Sequence, residues 1–176
     1  IDARTSNLSR STVQGLDFDL AYTKPLGGGS INLSVGGTRL FTIDNRITDT
    51  APRNNVVGTL GAPVKLRLRS RAGVILGAFD GGVALNHVAS YRNLSVKPAE
   101  RVKSWTTVDL QLGVRIGETG GAKDGQSFRL AFSVNNLFDR DPPYAQFRST
   151  GVTIGYDPEQ ASAVGRSFAL QAIVGW

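Results

Sequence analysis

The chain closes on S-F-A-L-Q-A-I-V-G-W, residues 167–176. Counting back from the end, Trp176, Val174, Ala172, Leu170 and Phe168 occupy every second position, so an extended backbone carries all five on one face. Termini of water-soluble domains are generally frayed and polar. This one stays apolar and in strand register up to an aromatic residue. An outer-membrane β-barrel presents such a strand to lipid, with aromatic side chains at the interface. A buried edge strand of a soluble β-sandwich satisfies the same spacing, so the strands upstream have to separate the two.

Moving back from that stretch, the same period recurs. Phe128, Leu130, Phe132 and Val134 alternate with Arg129, Ser133 and Asn135, and Val108, Leu110, Leu112, Val114 and Ile116 alternate with Asp109, Gln111 and Arg115. Val83, Leu85, Ala89 and Tyr91 stand against Asn86, Ser90 and Arg92, with the single histidine, His87, on their apolar side. Val64, Leu66, Leu68, Ala72, Val74 and Leu76 stand against the cations Lys65, Arg67, Arg69 and Arg71. Nearest the N-terminus, Leu16, Phe18, Leu20 and Tyr22 form one face of a strand that stops at Pro25. Pro25 to Gly29 then reverse the chain into a second strand bearing Ile31, Leu33, Val35, Gly37, Phe41 and Ile43. No helical period of useful length occurs.

Two regularities follow. The apolar face carries one formal charge, Arg39, whereas the opposite face carries Asp17, Asp19, Lys65, Arg67, Arg69, Arg71, Arg92, Asp109, Arg115 and Arg129. A charge facing lipid at mid-bilayer costs about 2–4 kcal/mol, so the clean face is the one able to meet lipid. The connections also alternate in length: the reversals at 25–29, 78–81 and 117–125 are shorter, those at 44–62, 93–104 and 139–165 longer. Consecutive antiparallel connections lie at opposite ends of a sheet, so every long one falls at one end. Outer-membrane barrels sort their loops this way, with short periplasmic turns and longer external loops.

Composition narrows the classes. The 176 residues include no cysteine, which removes disulfides, thiol catalysis and thiolate metal sites. The absence of methionine predicts a processed chain or a fragment. No run approaches the ~18 apolar residues of a membrane helix, and no signal peptide is recognisable at the start. The net charge of +6 admits an acidic partner such as nucleic acid or lipopolysaccharide. The Lys65/Arg67/Arg69/Arg71 ladder has no interleaved aromatic residues on its own face for base stacking, which argues against nucleic acid. His87 has no His, Asp or Glu cluster around it in sequence, and Gly120-Gly121 with Lys123 lacks the spacing of a phosphate-binding loop. No catalytic group, metal site or cofactor is expected.

The run N-N-L-F-D at 135–139, P-P at 142–143, Y-D at 156–157, G-R at 165–166 and the terminal apolar strand resembles the C-terminal segment of TonB-dependent outer-membrane receptors. G-L-D-F-D-L-A-Y at 15–22 and S-W-T-T-V-D-L-Q-L at 104–112 are similar to that family as well. Family members have a plugged barrel of about 22 strands. This chain has about seven or eight, no plug and no energy-coupling box near its start. The resemblance therefore implies that residues 1–176 are the C-terminal part of such a receptor barrel: all-β, an antiparallel up-and-down meander belonging to a transmembrane barrel.

Further implications are import of a scarce nutrient (a ferric siderophore, cobalamin or a glycan), location in the Gram-negative outer membrane, and contact with its lipid and lipopolysaccharide. The partners implied are TonB, through the missing plug, and the barrel-assembly machinery, which reads Phe168, Leu170, Ala172, Val174 and Trp176 as its signal. Lys65, Arg67, Arg69, Arg71, Asp109, Arg115 and Arg129 are expected to line a wet lumen. Tyr144, Phe147, Arg148 and Tyr156, in the longest external loop, are the expected substrate contacts. Two alternatives stay open: a self-contained small outer-membrane barrel with a structural or adhesive role, and a soluble lectin-like β-sandwich.

Overall fold

The computed structural model describes residues 10–46, 51–116, 127–149 and 152–175, and these form only strands and connections. Twelve strands follow in chain order. Seven are long: β1 (Arg10–Leu26), β2 (Gly29–Arg46), β4 (Leu66–Leu76), β5 (Phe79–Val88), β8 (Trp105–Ile116), β9 (Ser127–Asn135) and β12 (Ser167–Gly175). Five are short: β3 (Asn54–Asn55), β6 (Tyr91–Asn93), β7 (Glu100–Val102), β10 (Phe147–Ser149) and β11 (Val152–Ile154). The long strands pair in the order β1-β2-β4-β5-β8-β9-β12, every pair antiparallel, and β3 adds to β2 to make an eight-stranded sheet. The all-β meander expected from the alternation is therefore present. Among the described residues the sheet does not close: β1 and β12 are its two edges.

Register carries the apolar face across all seven long strands. One row runs Tyr22–Leu33–Ala72–Val83–Leu110–Val134–Phe168, each residue directly opposite the next. Residues opposite one another share a face of the pleat, so the other rows of that face add Phe18, Leu20, Val74, Leu112 and Leu170. The rows between them add Asp19, Arg69, Asp109 and Gln111 to the other face. A one-residue slip anywhere would exchange the two faces, and no ladder slips between Leu16 and Val174. Among the described residues the backbone of each long strand approaches only its ladder neighbours and, for β2, the short β3, and no second sheet lies over either face.

The N-terminal hairpin departs from expectation in three ways. Strand β1 does not stop at Pro25, which pairs with Ser30, and the turn is the two-residue Gly27–Gly28, with Gly28 at φ 89°. Proline is tolerated there because β1 is an edge strand, where a missing N–H need not break a ladder. The longer strand brings Lys24, opposite Ile31 and close to the turn, onto the apolar face as a second charge, far along β2 from Arg39. A bulge between Gln14 and Gly15 then shifts the register by one residue of β2. Ile43 is thereby moved off the apolar face and buried, instead of continuing the series from Ile31.

Two further boundaries move. Gly77–Ala78 make the next turn, which frees Asp80 to stand within β5, and β5 ends at Val88. Tyr91 and Arg92 therefore leave the sheet and enter β6, although they keep the parity of the strand before them. The turn expected at 117–125 and Trp176 lie outside the described residues.

The compact core sits in the long connections. Val64, Val88, Tyr91, Val102 and Ala145 are buried together, with Leu60 packed against them. Val64 thus belongs to this cluster and not to the outer face of β4. The three long connections interlock: Leu60 N–H donates to Arg92 O, Arg92 N–H to Gly58 O, and Asn93 Nδ2 to Gln146 O, while Ala145 N–H donating to Gly155 O closes the last connection on itself. Together they form one cap at one end of the sheet.

The N-N-L-F-D run is the joint between sheet and cap. Asn136 and Asp139 both hold φ 52°, a left-handed conformation that Asn and Asp adopt more readily than other side-chain-bearing residues. Asn136 N–H donates to Asp109 Oδ1, Arg140 N–H to Asn136 Oδ1, and Arg166 N–H to Asp139 Oδ1, which ties the turn to β8 and to the start of β12. Asn136→Ala is expected to cost about 2 kcal/mol, from backbone strain plus a lost hydrogen bond. Asn136→Gly, free of the strain, should cost about half that on the same grounds. Denaturant unfolding of the two variants measures the difference.

Candidate functional site

The polar face of the sheet curves into a concavity of about 860 Å³ lined by Arg69, Arg71, Asp80, Asp109, Arg115 and Arg129, among others. Its carboxylates are engaged individually. Asp80 receives both Arg129 Nη2 at 2.8 Å and Nε at 3.4 Å, a two-pronged ion pair spanning from β5 to β9 across β8. Asp109 accepts from Asn86 Nδ2 at 2.9 Å and from the Asn136 backbone. Asp17 accepts from Thr38 Oγ1 at 2.6 Å.

Glycines on the intervening strands let the long polar side chains pass. A Cβ on Gly113 would stand 2.6 Å from each Asp80 carboxylate oxygen, and one on Gly36 would stand 2.8 Å from Asp19 Oδ2. Gly113→Ala is therefore expected to push Asp80 away from Arg129 and to cost about 1–2 kcal/mol. In an Asp80→Ala background the same substitution should cost far less. A double-mutant cycle by thermal or denaturant unfolding reads the coupling.

The predicted ladder divides. Arg67, Arg69 and Arg71 project from the polar face and are exposed, opposite Thr38, Gly36 and Ser34 on β2. Arg67 Nη2 donates to Gln160 Oε1 at 2.7 Å, so a residue of the last long connection reaches down to this row. Lys65 precedes β4, and its methylenes pack against buried Gly58 in the cap. Arg92, placed on this face by parity, is in the cap as well. Arg115 and Arg129 stand directly opposite each other, and Asp80 draws Arg129 toward β5.

Of the four expected substrate contacts, Tyr144 is exposed and its ring lies about 3.8 Å from where a Cβ of Gly155 would be, next to Tyr156. Phe147 pairs with Ile154 on the β10–β11 hairpin and is half-buried, as is Tyr156. Phe147 lies on this hairpin and Tyr144 and Tyr156 flank it, whereas the Arg148 side chain lies outside the described residues. His87 sits one residue before the end of β5, opposite Leu68 and Thr106, with Nδ1 2.8 Å from Thr106 Oγ1. Among the described residues no three His, Cys, Asp or Glu side chains are placed to hold a metal ion.

The buried pair that organises the cap had no signal in the sequence. Tyr91 Oη donates to Asp157 Oδ2 at 2.8 Å, and the two residues are 4% and 2% exposed. Burial pushes the Tyr91 phenol well above its ordinary range, helped by the hydrogen bond to Asp157 and by the negative charges of Asp157 and Glu159. Asp157 also accepts Glu159 N–H through Oδ1, which holds the turn that delivers Gln160 to Arg67. Sixty-six positions separate Tyr91 from Asp157, so neither periodicity nor a local motif points from one to the other.

Comparison with protein-family models, with curated proteins and with solved structures gives no match for this chain.

Proposed function

We propose that the chain is a wall segment of a transmembrane β-barrel, belonging to a TonB-dependent outer-membrane receptor that imports a scarce nutrient such as a ferric siderophore, cobalamin or a glycan. The observation that carries the barrel reading is the one-layer sheet: an apolar face continuous over seven strands, largely exposed, with no second layer of strands on it among the described residues. In water such a face is a liability. Leu20, Phe79 and Leu170 are each at least 66% exposed, and soluble monomers rarely present an apolar surface of that extent. Lipid is the solvent that removes the cost, and a closed barrel is the form of sheet able to cross it.

Dimensions agree. Strands β4, β5, β8, β9 and β12 have 11, 10, 12, 9 and 9 residues, against roughly 9–11 for a tilted membrane-crossing strand. Phe79, Phe128 and Phe168 stand at the first or second position of their strands, where an aromatic girdle belongs. The guanidinium of Arg39 lies 6.0 Å from the Phe41 ring centroid and that of Arg166 5.8 Å from Phe168. Cations near strand ends can keep their charge at the headgroup level while their stems cover apolar surface.

The receptor assignment rests on the resemblance of the 135–139, 156–157, 165–166 and terminal motifs, and on the arrangement of cap and concavity. On this reading the polar face lines the lumen, the cap is external, and Tyr144, Phe147, Arg148 and Tyr156 contact substrate. The piece supplies wall, lumen charge and loops and performs no chemistry on its cargo. The unpaired edges β1 and β12 favour the wall segment over a self-contained small barrel, and the absence of a facing second sheet among the described residues weighs against a sandwich.

An antibody to the 157–163 loop, applied to fractionated source cells, tests the receptor reading. The expected result is an outer-membrane band several times larger than 18.8 kDa whose gel mobility shifts on boiling. A band near 18.8 kDa would remove the receptor and return the small barrel or, from a soluble fraction, the sandwich.

A further inference from the structure

The β6–β7 hairpin of the cap places Arg92 directly opposite Arg101. Like charges at a directly opposed cross-strand position repel, and such a pair is destabilising unless something of opposite sign offsets it. Among the described residues nothing acidic does so from this side. Alternation turns the neighbouring residues, Tyr91, Asn93 and Val102, into the buried interior, and Glu100 Oε2 lies 3.5 Å from the Gln146 backbone N–H on that inner side. Asp157 and Glu159 act on Tyr91 from the interior as well.

The two guanidinium-bearing residues instead border a concavity of about 740 Å³ that Lys65 also lines, and among the described residues no Asp or Glu contributes to its wall. The hairpin is held there from both sides of one residue: Arg92 N–H donates to Gly58 O and Arg92 O accepts from Leu60 N–H. The methylenes of Lys65 pack against Gly58, where the φ of 71° disfavours a side chain and a Cβ would stand 3.1 Å from the lysine Cγ. Arg101 Nη2 donates to Ser90 Oγ at 3.2 Å, which orients its fork toward the same wall. Three cations thus border one hollow whose described wall holds no counter-ion.

We propose that Lys65, Arg92 and Arg101 form a binding site for a phosphate-type anion, the planar guanidinium forks receiving its oxygens and the ammonium supplying a point charge. The anion is carried either by a lipid headgroup or by a small soluble ligand. The site is independent of the receptor assignment, since it rests on the cap alone.

The test uses the full chain in detergent micelles, with inorganic pyrophosphate titrated calorimetrically in one arm and vesicles with or without phosphatidic acid in the other. Binding of pyrophosphate is expected, weakened about tenfold or more by Arg92→Gln with Arg101→Gln and unaltered by Lys24→Gln. Binding confined to the phosphatidic acid vesicles, and lost in the same double variant, supports the site with lipid as the source. Thermal melts supply a readout that misfolding cannot imitate. Without anion the double variant should melt higher than the parent, because the repulsion is gone; pyrophosphate should raise only the parent. Anion binding that survives the double substitution, binding in neither arm, or a double variant that melts lower without anion overturns the proposal.

Discussion

Replacing Tyr91 with phenylalanine is expected to open the cap while leaving the strand ladder in place. The substitution keeps the ring in its cluster with Val64, Val88, Val102 and Ala145 and removes only the hydroxyl. Asp157, 2% exposed, then keeps the Glu159 N–H on one oxygen and has no donor for the other. Leaving a buried charged acceptor without its partner costs about 2–3 kcal/mol. The pair joins connections that lie outside the seven-strand ladder, so the loss falls on local opening and not on the sheet.

Trypsin reads the effect at Arg92 and Arg101, where cleavage should accelerate roughly 30-fold if opening is fast relative to cutting. The phenol adds a pH signature. Its folded-state affinity for the proton is raised above the unfolded value of 10.0, so its contribution is fully present below that pH and is lost as pH rises beyond it. Cap stability should be flat up to about pH 10 and then fall by at most about 1.4 kcal/mol per unit. Tyr91→Phe should remove that alkaline decline. A variant that resists trypsin like the parent and still declines above pH 10 would show that the pair does not hold the cap.

The second large effect concerns adjacent residues of β8. Leu112 is 48% exposed on the apolar face, and Gln111 is exposed on the polar one. In a soluble protein, Leu112→Arg at so open a position would change stability by no more than about 0.5 kcal/mol. Facing lipid near mid-strand, it should cost about 2–4 kcal/mol. Gln111→Arg, facing water among Asp80, Asp109 and Arg129, should be close to neutral. Unfolding of the chain from lipid vesicles, followed by tryptophan fluorescence, compares them. Equal effects would mean that the two faces of β8 meet the same medium.

The sheet was legible because period-2 alternation is a direct record of which residues share a face; the row from Tyr22 to Phe168 could be assembled strand by strand. What misled was alternation that outlived its strand. Phe41 and Ile43 continue the parity of Ile31 and Leu33, yet the bulge opposite Gln14 and Gly15 consumes one residue of β2 and turns Ile43 inward. Tyr91 continues the parity of Val83 and Leu85, yet the sheet pairing ends at Val88. Proline at 25 read as a strand end because its lost donor matters in a central strand, and only the topology identifies β1 as an edge.

The cap was the least legible part. Its core is assembled from connections far apart in the chain, and its polar links, such as Asn93 to Gln146, carry no local signature. The ladder was readable as charge but not as two separate groups, because Lys65 departs from Arg67, Arg69 and Arg71 only through its packing on Gly58. Of the expected substrate contacts, Phe147 lies on the β10–β11 hairpin and Tyr144 and Tyr156 flank it, a placement that loop composition alone did not announce.

The account stands on one face of the sheet meeting lipid and the other meeting water, and the natural absence of cysteine makes that directly measurable. Single cysteines at Leu110, Gln111, Leu112, Phe132 and Ser133 in the chain reconstituted into lipid vesicles would each be tested with a membrane-impermeant maleimide. Each would then carry a fluorophore quenched by nitroxide lipids. The account predicts maleimide labelling at 111 and 133 only, and lipid quenching at 110, 112 and 132 only. Labelling of all five from water, with no lipid quenching at any of them, would contradict it.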